Sequence, residues 1–343
     1  MNIQEALAVL VEGNDLDQGQ TREVFELIMT GEATPAQIGA FLAAIRVKGE
    51  TPEEIAGAAQ VMRALSTKVE VEHPNLVDTC GTGGSGTKLF NISTAAAFVT
   101  AAAGAKVAKH GNRKMTSFCG SADVLEAAEV NLELTPAQIA TCVMEVGVGF
   151  MFAPAHHSAM RFAGPVRQEI GVRTMMNILG PMTNPAGAQR QVIGVFSAEW
   201  QRTMAEVLKL LESEHAMIVH SEGLDEIRLD APTKVVELKH GEIQEYEISP
   251  ADFDIDMVSA DAVAALSADS TEASLNLVKS AISNPDSPES DIVALNAGSA
   301  IYVSGVATNL ANGVAMAQDA IAAGLAKERF DELVRISKLM GED

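Results

Sequence analysis

The sequence predicts an α/β fold: a small N-terminal helical domain over residues 1–72, then a larger α/β domain over residues 73–343 with a mainly parallel central sheet and flanking helices. Three observations predict it. Capped, amphipathic helical patterns fill the first 70 residues. From "NLVDTCGTGG" onward the order becomes short strand, glycine loop, helix, short strand, which builds parallel sheets. A chain of 343 residues also exceeds the usual ceiling for one hydrophobic core, favouring two packed domains.

In the first domain, "TPAQIGAFLAAIRVKG" and "TPEEIAGAAQVMRALS" each open with Thr and then Pro at the first helical position. Gln37 and Glu54 stand three residues after Thr34 and Thr51, the capping-box arrangement. Ile38, Phe41, Leu42 and Ile45 recur at helical spacing and make one buried stripe. In the second domain "NLVDTC" reads as a strand, "STAAAFVTAAAG" as a helix stopped by Gly104, and "AKVAKHG" as the next strand. "SADVLEAAE" and "TPAQIATCVMEVG" supply helices. "AMIVHSEGLDEIRLD" reads as strand, loop, strand, and "KVVELKHGEIQEYEI" as a hairpin turning at Gly241. Thr271 through Met340 is mostly helical. "MNILGPMTNPAG" is the main Pro/Gly-rich junction, and a segment near residues 165–190 is expected to return to the helical domain.

Composition bounds the function. The chain is 47% hydrophobic but only 4% aromatic, as suits a compact, helix-rich globular protein. Its formal charge of −22, spread over the sequence, disfavours a nucleic-acid partner held by phosphate counterion release, so a small anion would need a local positive patch. No apolar run is long enough to span a bilayer, and the N-terminus lacks signal-peptide features, so no membrane association and a cytoplasmic location are expected. Cys80, Cys119 and Cys142 form no CxxC, which supports neither a disulfide framework nor a zinc site. His156-His157 has no third ligand at a suitable spacing; the Met-rich stretch "MRFAGPVRQEIGVRTMM" and Trp200 read as packing.

Four glycines crowd the stretch "CGTGGSGTKLFNIST", just ahead of a helix. Gly81 to Gly86 satisfy G-x-G-x-x-G after a strand, the dinucleotide fingerprint, but Lys109, His110 and Arg113 stand where an acidic residue would end the next strand. An NADP site stays open on that ground. A Walker A loop is excluded because Thr87 separates Gly86 from Lys88, and a plain tight turn is the bland alternative. A second loop of like character, "KHGNRKMTSFCGSAD", also follows a strand and precedes a helix. Backbone N–H groups at glycines and helix N-termini bind anions, so two such loops on adjacent strands could hold a diphosphate and a separate phosphate. Lys109 and Arg113, with the hydroxyls of Ser117 and Ser121, would neutralise and orient them.

"GTGGSGTKLFNIST", "KHGNR", "GSAD", "GPVRQEIGVRTMMNILGPMTNP" and "GLDE" occur in an order and spacing that resemble anthranilate phosphoribosyltransferases over essentially the whole chain. The resemblance implies transfer of the 5-phosphoribosyl group from phosphoribosyl diphosphate, with Mg2+, to the amino group of anthranilate in tryptophan biosynthesis. It also implies a homodimer joined through the helical domain and an active site between the domains. Gly81, Gly84, Ser85, Leu89, Asn91, Ile92, Ser93 and Thr94 would line the diphosphate, and Ser93 would also meet magnesium. Lys109, His110, Gly111, Asn112, Arg113, Lys114, Met115, Thr116, Ser117 and Ser121 would follow the phosphoribosyl moiety. Gly81, Asn112, Arg167, His110, His157 and Pro181 would surround anthranilate, with the planar fork of Arg167 suited to its carboxylate. Asp225 and Glu226 match the metal-binding pair and, with Lys109, the catalytic set.

Adjacent residues point apart on a helix or strand, so Asp225 and Glu226 can act together only from a loop or by addressing two ions. The family usually has Asp in place of Ser85, Ser or Thr in place of Leu89, and Ser in place of Cys119. Backbone donors survive these changes, so binding is expected to persist with altered metal or diphosphate affinity. Two other activities fit parts of the pattern: a pyrimidine nucleoside phosphorylase, which would need a differently built first loop, and a non-catalytic nucleic-acid-binding relative, which would need a basic face.

Overall fold

The computed structural model describes residues 1–84, 86, 88–113 and 119–341. The expectations for Ser85, Lys114, Met115, Thr116 and Ser117 therefore lie outside the described residues.

The chain opens with four helices, α1 (Ile3–Val11), α2 (Gln18–Thr30), α3 (Pro35–Lys48) and α4 (Pro52–Leu65). Each begins with a reciprocal cap: the side chains of Asn2, Asp17, Thr34 and Thr51 accept from the backbone N–H three residues on, and Glu5, Gln20, Gln37 and Glu54 reach back. Each cap contributes about 1 kcal/mol. Helix α3 buries Ile38, Phe41, Leu42 and Ile45, the stripe expected from their spacing.

The α/β part then runs β1 (Leu76–Gly81), α5 (Ile92–Ala102), β2 (Lys106–Gly111), α6 (Ser121–Ala127), α7 (Pro136–Glu145), β3 (Val148–Phe152), the single turn α8 (Ala153–His156) and α9 (Met160–Ile170). It continues through β4 (Arg190–Gly194), α10 (Glu199–Leu210), β5 (His215–His220), β6 (Thr233–Lys239) and β7 (Glu242–Ile248). Helices α11 (Ala260–Ala264), α12 (Thr271–Ala281), α13 (Pro288–Val303), α14 (Leu310–Ala322) and α15 (Leu325–Met340) complete it.

The seven strands form one sheet in the order β3-β2-β1-β4-β5-β6-β7. The first five are parallel, and β6 and β7 add an antiparallel hairpin at one edge. That hairpin turns at His240 and Gly241, both with positive φ. One expected strand is absent: residues 226–230 form none. The chain reverses at Ser221–Leu224 instead, and the N–H and C=O of Ile227 bond to the Asn296 side chain rather than to a neighbouring strand.

One buried cluster packs α5, α13, α14 and α15 on the sheet, with Val77, Val107, Val192 and Val219 as strand contributions. A second runs from the N-terminal helices through Ala163, Val166 and Met175–Met182 to Ile193, Ile218 and Val236. Phe162 of α9 lies against Gly31 at the end of α2, and Val166 faces Gly39 of α3. Strands β2 and β3 lie on one side of β1 and β4 on the other, so the order reverses between β1 and β4. Open α/β sheets bind ligands at such a point, beyond the carboxyl ends of the strands.

Candidate active site

At the reversal point β1 and β4 end side by side, with Gly81 opposite Gly194. A Cβ on Gly194 would fall 1.6 Å from the Asp225 carbonyl oxygen, and one on Gly81 would fall 2.6 Å from Asp225 Oδ2. The two glycines thus let the segment after β5 lie directly on the strand ends. A tight turn delivers it: Ser221 and Leu224 exchange backbone hydrogen bonds, with Glu222 and Gly223 at positive φ between them. Gly83 N–H then donates to Asp225 Oδ2 at 3.0 Å, tying the acidic segment to the glycine loop.

Asp225 and Glu226 lie in irregular backbone, free of the opposed side-chain directions of a strand. Glu226 is half-buried against the amide and hydroxyl of Ser93 in the first turn of α5. Burial, and then the Asp225 charge, push its carboxyl up to about 8, against the pull of Lys109 and Ser93. Two acidic side chains crowded this way fit a divalent cation, which relieves the repulsion that raises Glu226. Among the described residues no group of three or more His, Cys, Asp or Glu forms a metal cage. The donor set is two carboxylates and a hydroxyl, which suits Mg2+ because that ion fills its remaining positions with water and substrate phosphate.

Lys109 is only 3% exposed. Its Nζ donates to the Thr79 carbonyl at 2.5 Å and to Ser93 Oγ at 3.2 Å. Burial lowers its pKa while Asp78, Cys80 and Glu226 hold it up. Its charge therefore sits beneath the pocket, behind Ser93, and not on the open face where a direct phosphate contact was expected. Among the described residues the buried Thr94 Oγ1 has no hydrogen-bond partner. Ile92 N–H turns back to the Phe90 carbonyl. Leu89 bridges to Ser267 and packs against the core, so an apolar contact stands where the family usually has a hydroxyl.

The second loop leaves β2, the neighbour of β1, so the two loops are adjacent. Asn91 joins them: its Nδ2 donates to the Cys119 carbonyl at 3.4 Å, while Ser274 Oγ donates to its Oδ1 at 2.8 Å. The Asn112 carbonyl accepts from Ala122 N–H and, at 3.5 Å, from Ser121 Oγ, folding the loop onto α6. Gly111 is needed there, because a Cβ would meet Ser121 Oγ at 2.1 Å. Arg113 is engaged on α6 in this structure. Its guanidinium forms two hydrogen bonds to Glu126 and lies 3.5 Å from Asp123.

The His110 and His157 rings lie with centroids 5.0 Å apart at 54° to each other, and among the described residues the buried Nε2 atom of each has no hydrogen-bond partner. Burial first, then neighbouring positive groups, lowers His110 to about 3 and His157 to about 4. Both are neutral at physiological pH and can donate to or accept from a bound ligand. The unfolded chain protonates histidine near 6.5 whereas these rings do not, so the unfolded state binds more protons in acid and stability falls as pH drops below 6.5. Between pH 8 and pH 5 each ring is expected to withdraw about 2 kcal/mol. Urea unfolding of wild type and His110→Asn at the two pH values tests it; an unchanged pH dependence in the variant refutes it.

Arg167, in the last turn of α9, is half-buried with its pKa lowered by desolvation, and it has no hydrogen bond or ion pair among the described residues. Pro181 is buried, its carbonyl capped by Gln191 Nε2 at 2.7 Å, two residues before Thr183, whose backbone meets His157. Arg173 escaped sequence reasoning: its Nη2 donates to the Gly84 carbonyl at 2.7 Å and its guanidinium lies 4.0 Å from the Phe196 ring centroid. Only its place in "GVRT", inside a motif-bearing segment, hinted at it.

Residues 4–66 match the "Glycosyl transferase family, helical bundle domain" and residues 73–327 the "Glycosyl transferase family, a/b domain". The anthranilate phosphoribosyltransferase of Saccharophagus degradans is 56% identical over 99% of this chain and 100% of its own length. That of a Marinomonas species is 57% identical over 98% of each chain. The crystal structure of the Thermus thermophilus enzyme superposes with a TM-score of 0.91 at 40% identity, covering 97% of this chain and 99% of that one. The Saccharomyces cerevisiae enzyme in complex with PRPP and Mg shares the fold, with a TM-score of 0.87 at 22% identity over 98% of each chain. With an acidic pair seated on the glycine ends of β1 and β4, beside the loop that follows β1, the chain belongs to this glycosyl transferase family and, within it, to the anthranilate phosphoribosyltransferases.

Proposed function

We propose that the β1–β4 crevice is where this phosphoribosyltransferase binds phosphoribosyl diphosphate with Mg2+ and passes its 5-phosphoribosyl group to the amino group of anthranilate, releasing diphosphate. The observation that carries the assignment is the convergence of Asp225, Glu226, Ser93 and Lys109 where the sheet order reverses. Asp225, Glu226 and Ser93 would hold the metal, which when bound neutralises charge on the diphosphate. The Saccharomyces cerevisiae relative that binds PRPP and Mg supports the same ligands here.

Displacement at the anomeric carbon builds oxocarbenium character on the ribose while negative charge gathers on the departing diphosphate. The N-terminal end of α5 would meet that charge with its helix dipole, since the Ile92, Ser93 and Thr94 amides are already engaged by Phe90, Glu226 and Asn91. Lys109 adds a buried positive field and, through Ser93, orients the first turn. Asn112, Gly111 and Ser121 shape the second loop for the 5-phosphate. The aryl amine already carries its lone pair, so no strong base is needed; neutral His110 and His157 can bond it without repelling the cationic ribose. Holding the amine in line with the breaking bond makes the encounter effectively unimolecular.

Arg167 is assigned the anthranilate carboxylate because a half-buried guanidinium without a partner awaits an anion. Arg167→Ala is expected to raise anthranilate KM about tenfold to hundredfold with kcat little changed, since it removes binding common to ground and transition states. Anthranilate fluorescence, followed with and without phosphoribosyl diphosphate and Mg2+, measures both the reaction and this shift. Unchanged anthranilate KM would remove Arg167 from the acceptor site.

The division into residues 1–72 and 73–343, a homodimer through the helical domain and a cytoplasmic location complete this reading. Val11 and Val47, 73% and 89% exposed on the helical domain, support the dimer. A single 36.0 kDa species in sedimentation equilibrium would exclude it.

A further inference from the structure

Asp225 and Glu226 lie on no strand or helix, yet the peptide that follows them is firmly held. Ile227 N–H donates to Asn296 Oδ1 at 3.0 Å, and Asn296 Nδ2 donates to the Ile227 carbonyl at 3.0 Å. The same nitrogen also donates to the Ile292 carbonyl at 2.8 Å. Asn296 stands in the middle of α13 and is 4% exposed, among Val293, Ala294, Leu295 and Ala297. Asparagine is disfavoured in a helix interior, and a buried amide is costly unless its groups are matched. Here both donors and the acceptor are used, two of the three bonds going to one peptide of the loop.

An asparagine amide offers a donor and an acceptor side by side, which is what a neighbouring strand would have offered Ile227. The Ile227 side chain is itself 2% exposed in the core. On the other side of the pair, Gly194 lies against the Asp225 carbonyl and Gly83 N–H against its carboxylate. Asn296, Glu226, Ser93 and Thr79 also line one small cavity. The acidic pair is thus held between the sheet ends and α13, and α13 reaches it through one side chain.

We infer that Asn296 is a positioning residue that pre-sets Asp225 and Glu226 for their metal ion before the donor substrate arrives. The inference rests on the metal assignment made for that pair. Residues that orient metal ligands from behind typically contribute ten- to hundredfold in metal affinity. Removing this amide also leaves the Ile227 N–H and carbonyl unmatched, so the loop would have to rearrange to satisfy them.

The test uses the full-length enzyme without anthranilate, so that no turnover occurs. Calorimetric titration with phosphoribosyl diphosphate across a series of Mg2+ concentrations gives the Mg2+ midpoint for donor binding. Asn296→Ala is expected to raise that midpoint about tenfold or more. The amide of Ile227 should exchange faster with solvent in the variant, and anthranilate affinity, read by fluorescence, should stay within about twofold. Asn296→Ser serves if the alanine variant does not accumulate. In wild type the Ile227 amide should already be protected without ligand; if it exchanges there like an open loop, pre-setting is wrong whatever the variants do. Asp225→Asn separates the two levels. A shifted midpoint in Asp225→Asn with an unchanged one in the Asn296 variants overturns the clamp alone. No shift in Asp225→Asn overturns the metal assignment and the clamp with it. Equal losses of donor and anthranilate affinity together with a lowered Tm would show general support of the fold, and would also overturn it.

Discussion

Lys109→Ala is expected to lower kcat by about a hundredfold to a thousandfold, the range seen when one preorganised group facing transition-state charge is removed. Lys109 Nζ bonds to Thr79 and Ser93 and stands among Asp78, Cys80 and Glu226. Its loss releases the Ser93 hydroxyl and withdraws the positive charge that opposes protonation of Glu226. It also leaves Asp78, already pushed up by burial, without its nearest cation. Some stability will be lost too, because a buried charge is left unmatched. Lys109→Met, which retains most of the volume, separates the effects: Tm should recover relative to alanine, and kcat should not. Steady-state kinetics and thermal melts on both variants decide. Turnover within about threefold of wild type in either would show that the lysine only fills space.

Asp225→Asn is expected to reduce turnover about a hundredfold and to raise the Mg2+ requirement. The substitution is nearly isosteric, and asparagine can still accept the Gly83 N–H, so the strand-end packing survives. What goes is the charge. Asp225 is the second cause, after burial, of the raised Glu226 pKa, so the variant should bring Glu226 down toward the ordinary carboxylate range. Wild type should therefore bind Mg2+ more tightly as pH rises through about 8, where Glu226 ionises, and in the variant that dependence should move to lower pH, with burial still holding Glu226 up. Donor binding titrated at several Mg2+ concentrations and two pH values tests both statements. An unaltered Mg2+ requirement would place the metal elsewhere.

The two phosphate-type loops were legible because glycine clusters between a strand and a helix have few other uses, and Asp225-Glu226 because it follows a strand inside a family motif. The side chains that hold these groups were not legible. Asn296 lies 69 residues from Ile227, Ser274 lies 183 from Asn91, and Arg173 lies 89 from Gly84, so no local pattern links the partners. Lys109 and Arg113 look alike as cations near a glycine loop. One is drawn under the sheet by Thr79 and Ser93, while the other is neutralised by Glu126 thirteen residues on. The misread strand at residues 226–230 has the same origin: "EIRLD" alternates like a strand, but its backbone partner is a side chain on α13.

The sequence by itself determined most of the local structure: where the helices start, which segments form strands apart from 226–230, and where the glycine loops fall between them. Caps, periodicity and glycine conformations act within a few residues, and their energies are spent there. The tertiary structure decided which charges remain available. Burial beside Ser93 made Glu226 reluctant to ionise, burial kept His110 and His157 neutral, and a salt bridge engaged Arg113. Desolvation and Coulomb interactions depend on what lies within a few ångströms in space, and only the folded chain specifies that.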